Sequence, residues 1–104
     1  MGQMISDIKY KADINIRARE NLFLDKYDVE FFIDGVSHGT VIQGTVSTYS
    51  VKLSKGRHTA TFCREGVPSV KGSAEFDVDD DMHIALSVKC RSSVIDIERI
   101  ARLE

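Results

Sequence analysis

The fold is decided by residues 27–65, which read YDVEFFIDGVSHGTVIQGTVSTYSVKLSKGRHTATFCRE. In this stretch, Asp34-Gly35 and Lys55-Gly56 each separate two runs in which apolar and polar residues alternate. A two-residue loop of the type I′ class needs positive φ at both central positions, and Asp-Gly adopts that conformation readily. The stretch therefore predicts two antiparallel β-hairpins in the middle of the chain.

The Asp34-Gly35 loop also predicts the register of the first hairpin. It pairs Ile33 with Val36, and regular pairing then places His38 opposite Phe31 on the same face. Glycines at positions 39 and 44 predict a bulge or the end of the pairing.

The clearest alternation lies at Asp7–Arg17. Apolar residues occupy every second position of this segment: Ile8, Tyr10, Ala12, Ile14 and Ile16. A half-buried strand requires that period of two, whereas a helix would distribute the apolar residues around its circumference.

Similar patterns predict six further strands, at Tyr27–Ile33, Val36–Ile42, Val46–Leu53, Arg57–Arg64, Lys71–Val78 and Met82–Cys90. We expect Glu65–Ser69 to be a loop. Two structures fit the C-terminal tail. Val94–Ile97 fits an eighth strand, whereas Ile97, Ile100 and Leu103 have the spacing of a short helix. Leu22-Phe23-Leu24 has no clear period and fits either a plug at one end of the core or a single helical turn.

Seven or eight short strands without a long helix predict an all-β fold, namely a two-sheet antiparallel immunoglobulin-like β-sandwich. A small barrel is the alternative. We expect residues 1–104 to form a single β-sandwich domain with its core at about residues 7–98. Methionines at both Met1 and Met4, together with the ending Leu103-Glu104, lead us to expect a domain excised from a longer protein.

The composition disfavours two classes of partner. The formal net charge is −2, and the basic residues are scattered without a basic stripe. We therefore expect no nucleic-acid partner. No apolar run approaches the length of a membrane span, so we expect no direct membrane insertion. We also expect the chain to be a monomer.

Two cysteines raise the question of a disulfide. Cys90 continues the apolar face of its strand, whereas Cys63 is out of phase with its apolar neighbour Phe62. One sulfur would then face the core and the other would face outward. We expect two free thiols, with a Cys63–Cys90 bridge as the alternative.

The acidic segment Asp77–Asp81 superficially resembles the start of an EF-hand calcium loop. Such a loop needs glycine at its sixth position and glutamate at its twelfth, where this chain has Met82 and Val88. His58 and Cys63 could suggest a catalytic thiol–imidazole pair. They are five residues apart on one strand, however, and so face opposite sides of the sheet. We expect no enzymatic activity, no cofactor and no metal site.

Three aromatic residues form the candidate recognition surface: Phe32, Tyr27 and Tyr49. Phe32 lies on the face opposite the apolar row of its strand. It is either covered by Leu22-Phe23-Leu24 or exposed as a recognition surface.

The turn motifs also carry a family resemblance. They are Phe32-Ile33-Asp34-Gly35, Gly39-Thr40, the run from Val51 to Phe62 and Glu65-Gly66. This pattern resembles PEGA-type β-sandwich modules and related immunoglobulin-like domains of uncharacterised bacterial proteins.

The resemblance implies a non-catalytic interaction or spacer module of a bacterial envelope-associated or secreted protein. Its partner would be a protein or a cell-surface polymer. Strand addition at a sheet edge is the most concrete mechanism, and the candidate edges are Val36–Ile42 and the tail after Ser93. The alternative is a carbohydrate-binding module that uses its exposed aromatic residues.

Overall fold

The structure is a computed structural model that describes residues 8–19 and 26–103. Every regular element in these ranges is a β-strand: β1 (Lys9–Arg19), β2 (Val29–Ile33), β3 (Val36–Val41), β4 (Val46–Ser54), β5 (Gly56–Arg64), β6 (Val67–Val78), β7 (Met82–Cys90) and β8 (Ile95–Leu103). None of the described residues belongs to a helix that could span a membrane. Leu22-Phe23-Leu24 lies outside the described residues.

The eight strands form two four-stranded sheets. Sheet I has the order β4-β1-β7-β8, and sheet II has the order β3-β2-β5-β6. The inner faces of both sheets supply one continuous core, whose largest fully buried side chains include Ile14, Ile16, Ile84, Phe31, Phe62 and Val29. The prediction of an all-β, two-sheet fold is confirmed.

Sheet I corrects the prediction that both sheets are wholly antiparallel. β1 runs parallel to β7, from the pair Ala12 and Met82 to the pair Arg19 and Lys89. Parallel neighbours need a long connection, and here β2 to β6 provide it. Alternation within a strand shows which side chains face the core, but it carries no information on the direction of the neighbouring strand.

The first predicted turn is confirmed, and its register is partly wrong. Asp34 and Gly35 have φ of 51° and 82°, and Ile33 pairs with Val36. Phe31, however, pairs with Gly39 instead of His38, because the register shifts between Phe31 and Phe32. Gly39 has φ of 129°, a conformation open to glycine, and it allows His38 to be the extra residue of a β-bulge.

The second predicted hairpin is wrong. Lys55-Gly56 connects β4 of sheet I to β5 of sheet II, so the two flanking strands lie in different layers. Both strands place alternate residues toward the same core from opposite sides. Locally, this arrangement has the same sequence pattern as a hairpin.

The C-terminal segment is a strand, β8, and the helical alternative is wrong. Ile97 pairs with Val88 and Ile100 with Leu86, while the register shifts between Ser87 and Val88. Glu98 is therefore an extra residue in the strand. The bulge keeps Ile97 and Ile100 on the same side despite their helix-like spacing of three.

Three strands, β1, β2 and β6, begin two or more residues from their predicted starts, and β2 begins at Val29 instead of Tyr27. β1 is shifted toward its C-terminal end, since Ile8 is 63% exposed whereas Ala18 is buried. β6 begins at Val67, so the prediction of a loop at Glu65–Ser69 is wrong for three of its five residues, Val67, Pro68 and Ser69, which are extended. β6 is an edge strand, where a proline removes no necessary ladder hydrogen bond.

The two layers meet differently at their two sides. A Cβ atom placed on Gly72 of β6 would lie 1.8 Å from the carbonyl oxygen of Ile95 on β8, so the backbones approach there without an intervening side chain. On the other side, the ring of Tyr49 on β4 packs 5.1 Å from that of Phe31. Its hydroxyl donates to the Thr40 carbonyl of β3 at 3.2 Å, which joins the two sheets.

Candidate functional site

Phe32 lies half-buried on the outer face of sheet II. It pairs with Ser37 on β3 and Thr61 on β5, and Thr61 in turn pairs with Ser73 on β6. Side chains of paired residues share a face, so the aromatic ring has hydroxyl groups on both sides along one row of the sheet.

Tyr27 and Tyr49 do not share that outer face. Tyr27 packs at the margin of the core, its hydroxyl donates to the Arg91 carbonyl at 2.6 Å, and the Arg64 guanidinium lies 4.5 Å from its ring centre. Burial raises the pKa of Tyr27 to about 12 and also raises that of Tyr49. The structure thus separates Phe32 from the two tyrosines, whose hydroxyl groups are engaged by main-chain carbonyls.

Both predicted sheet edges are edges in the structure, and both are irregular. β3 carries the His38 bulge, and β8 carries the Glu98 bulge. β8 is also rich in charge, with Asp96, Glu98, Arg99 and Arg102. Bulges and charges hinder the pairing of an additional strand. β6, at the other edge of sheet II, contains Pro68, and its pairing with β5 shifts register between Cys63 and Arg64.

β4 is the regular edge. Its nine residues pair with β1 in an uninterrupted register, from Val46 with Arg17 to Ser54 with Lys9. It contains neither proline nor glycine, and its only charged residue is Lys52. On the side away from β1, the main chain of β4 has no strand partner among residues 8–19 and 26–103, although the Ser54 carbonyl contacts His58.

This edge was not predicted from the sequence. The strand itself was predicted at Val46–Leu53, but its position at the rim of sheet I depends on the strand order. The one local signal was the nearly uncharged composition of the strand, which buried central strands share.

His58 is buried and has an acceptor at each ring nitrogen. Its Nδ1 lies 2.6 Å from Asp34 Oδ2, and its Nε2 lies 2.7 Å from the Ser54 carbonyl oxygen. Burial lowers the pKa of His58, but the hydrogen bonds to Asp34 and Ser54 outweigh it and the pKa is raised overall. Asp34 also accepts from the Thr59 N–H at 2.9 Å. This cluster links the Asp34-Gly35 turn to β5.

The two cysteines are free thiols, as expected. Cys90 is buried, and burial raises the pKa of its thiol to about 11. Cys63 is half-buried on β5, and His58 is engaged by Asp34 and Ser54 rather than by the thiol. The part of the chain that the structure describes contains no group of three or more His, Cys, Asp or Glu residues arranged to hold a metal ion.

No family model matches the chain, and no curated protein is significantly similar to it in sequence.

Proposed function

We propose that this chain is a non-catalytic, immunoglobulin-like interaction module of a bacterial envelope-associated protein, similar in kind to the PEGA-type modules. It binds a protein partner by strand addition at β4. The observation that carries this proposal is the contrast between β4 and the other three edges, each of which is interrupted by a bulge, a proline or a register shift.

The side chains of β4 specify the kind of strand that fits. Tyr49, Val51 and Leu53 are half-buried and form the inner row at the rim of the core. Thr48 and Ser50 lie on the outer row. The partner is therefore an extended segment with apolar residues on one face, which continue the core, and small polar residues on the other.

A synthetic peptide of alternating threonine and valine, as long as β4 and with a lysine at each end, tests this proposal. We expect saturable shifts of the amide resonances along residues 46–54 when the peptide is titrated into the full chain. Val51→Lys places a charge in the inner row and should abolish the shifts, because inward-pointing charges block edge pairing.

Ile100→Lys is the matched control, since Ile100 lies in the inner row of β8, at the opposite edge of the same sheet. This variant should bind the peptide as the unmodified chain does. Peptide-induced shifts that follow β3 or β8, or an absence of saturable shifts, would contradict the proposal. Sedimentation should show a monomer, and a dimer abolished by Val51→Lys would assign the edge to a second copy instead.

Carbohydrate binding at Phe32 is the second candidate function. The supporting observation is the row in which Phe32 stands between the hydroxyl residues Ser37, Thr61 and Ser73. A half-exposed ring next to hydroxyl groups is suited to stacking against a sugar ring. Titration with a cellulose or chitin oligosaccharide should then perturb Phe32, and Phe32→Ala should abolish the effect while Tyr49→Phe retains it.

A further inference from the structure

A row of four side chains crosses the outer face of sheet I. Arg17 on β1 pairs with Val46 on β4 and with Ser87 on β7, and Ser87 pairs with Arg99 on β8. Paired residues present their side chains on the same face. Two arginines therefore lie on either side of one serine, with their Cα atoms about two strand spacings, roughly 10 Å, apart.

The next row creates a depression beside these arginines. It contains Asn15 on β1 and the small residues Ala85 and Ala101 on β7 and β8. The depression has a volume of about 550 Å³, and its lining includes Arg17, Ser87 and Arg99. The long arginine side chains thus border a shallow basin whose lining also includes Ala85, Val46 and Leu103.

The charges of the basin are only partly compensated. Arg19 forms an ion pair with Glu98 at 2.9 Å. Within residues 8–19 and 26–103, by contrast, the guanidinium groups of Arg17 and Arg99 have no carboxylate or other hydrogen-bonding partner. The basin consequently has an excess of positive charge, although the chain as a whole has a net charge of −2.

A neutral donor is oriented at the same place. The Thr48 hydroxyl donates to Asn15 Oδ1 at 3.0 Å, which fixes the amide oxygen on the β4 side. The amide nitrogen of Asn15 is left as a donor. The Ser87 hydroxyl, between the two arginines, can supply another.

We propose that this basin binds a tetrahedral oxyanion, the phosphate or sulfate group of a ligand. Arg17 and Arg99 would hold the oxyanion from opposite sides, with Ser87 and Asn15 as additional donors. Guanidinium groups form strong, charge-assisted and often bidentate hydrogen bonds with such groups. A tetrahedral group presents oxygens in several directions at once, whereas a planar carboxylate presents two.

Titration of the full chain with inorganic phosphate at constant ionic strength tests this inference, with sulfate and acetate in parallel. We expect saturable shifts of the side-chain Nε–Hε resonances of Arg17 and Arg99 for phosphate, sulfate or both. Acetate should bind roughly tenfold more weakly or not at all, because it can engage fewer donors. Equal binding of acetate would overturn the assignment to a tetrahedral group.

Three variants complete the test. Arg17→Gln and Arg99→Gln should each weaken binding roughly tenfold, since each removes a charge-assisted contact. Arg57→Gln is the control, because Arg57 lies on sheet II with Glu75 and Asp77 as its partners. An equal loss in the control variant, or shifts that rise linearly without saturation, would reduce the effect to general electrostatics and overturn the proposal. Val51 does not line the basin, so Val51→Lys should prevent strand addition at β4 without affecting oxyanion binding. The two proposals can therefore be refuted separately.

Discussion

The Nδ1 atom of His58 lies 2.6 Å from a carboxylate oxygen of Asp34, and its Nε2 faces the Ser54 carbonyl. Both neighbours of the ring are acceptors, so the arrangement is satisfied when His58 carries two protons and Asp34 carries none. The residue that enables the hairpin turn by its positive φ therefore also binds the first buried side chain of β5.

This pair should make stability depend on pH at both ends of the range. The pKa of His58 is raised above its ordinary value of 6.5, so its contribution is complete below pH 6.5 and is lost as the pH rises through the folded-state pKa. Burial raises the pKa of Asp34, but its bonds to His58 and Thr59 lower it below the ordinary value of 3.8. The contribution of Asp34 is present above pH 3.8 and is lost as the pH falls through the folded-state pKa. The pair should thus stabilise the fold most between pH 3.8 and pH 6.5.

Asp34→Asn measures this contribution, since asparagine tolerates positive φ, removes the charge and replaces one of the two acceptor oxygens by an N–H donor. Urea unfolding at about pH 5 and about pH 9 gives the change in the free energy of unfolding between these two pH values. This change should be smaller for the variant than for the unmodified chain. We expect the pH-dependent change to be about 1 kcal/mol smaller in the variant. The effect is modest because the Asp34 side chain is 47% exposed and solvent screens the interaction. Parallel pH profiles for the two chains would exclude this role.

Gly72→Ala should destabilise the fold by about 1–3 kcal/mol. The added methyl group would meet the Ile95 carbonyl oxygen, so the backbone of β6 or β8 must move. Ser73→Ala is the matched control on the adjacent exposed position, and it should change the free energy of unfolding by less than about 0.5 kcal/mol. Equal effects of the two changes in a denaturant titration would show that the layers are not in close contact at Gly72.

Asp81 extends the ladder of sheet I with its side chain. Its carboxylate accepts from the Lys11 N–H of β1 at 2.8 Å, immediately before β7 begins. Asp81→Ala should lower the free energy of unfolding by about 1 kcal/mol, whereas Asp81→Asn keeps an acceptor and should lose less. Glu65→Ala, which removes an exposed contact to Thr40, should have an effect below about 0.5 kcal/mol. An unchanged free energy of unfolding in Asp81→Ala would mean that water replaces the carboxylate as acceptor without a loss of stability.

The two thiols should react at very different rates. Cys90 is buried and its pKa is raised to about 11, so little thiolate is present at neutral pH and access requires local opening. Mass spectrometry of the folded chain after iodoacetamide treatment should therefore find Cys63 labelled first. In Cys63→Ser, labelling should be negligible until the chain is unfolded. Comparable labelling of both cysteines in the folded chain would be incompatible with a buried Cys90.

The sequence was sufficient to predict which side chains face the core. Ala12, Ile14 and Ile16 belong to the apolar row predicted at Asp7–Arg17 and are buried, although Ile8 at its start is exposed. These predictions succeed because burial of alternate side chains depends on a period that is written directly into the chain.

Strand partnership could not be predicted in the same way. Asp34-Gly35 and Lys55-Gly56 lie between similar alternating runs, yet the first joins partners and the second joins two layers. The bulge at Glu98 gave β8 the apolar spacing of a helix. The candidate sites depend on the same missing information, because the β4 edge and the Arg17–Arg99 basin both arise from strand order.

The placement of β1 between β4 and β7 has a consequence for how the chain folds. Asp13 contacts His83, 70 residues further along the chain, and sheet I is incomplete until that contact forms. Topologies dominated by such non-local pairings fold slowly, in milliseconds to seconds, because a long loop must close before the pairing stabilises it. During synthesis on the ribosome, the first strand must therefore wait, with its hydrogen-bonding groups unpaired on the β7 side, until the seventh has emerged.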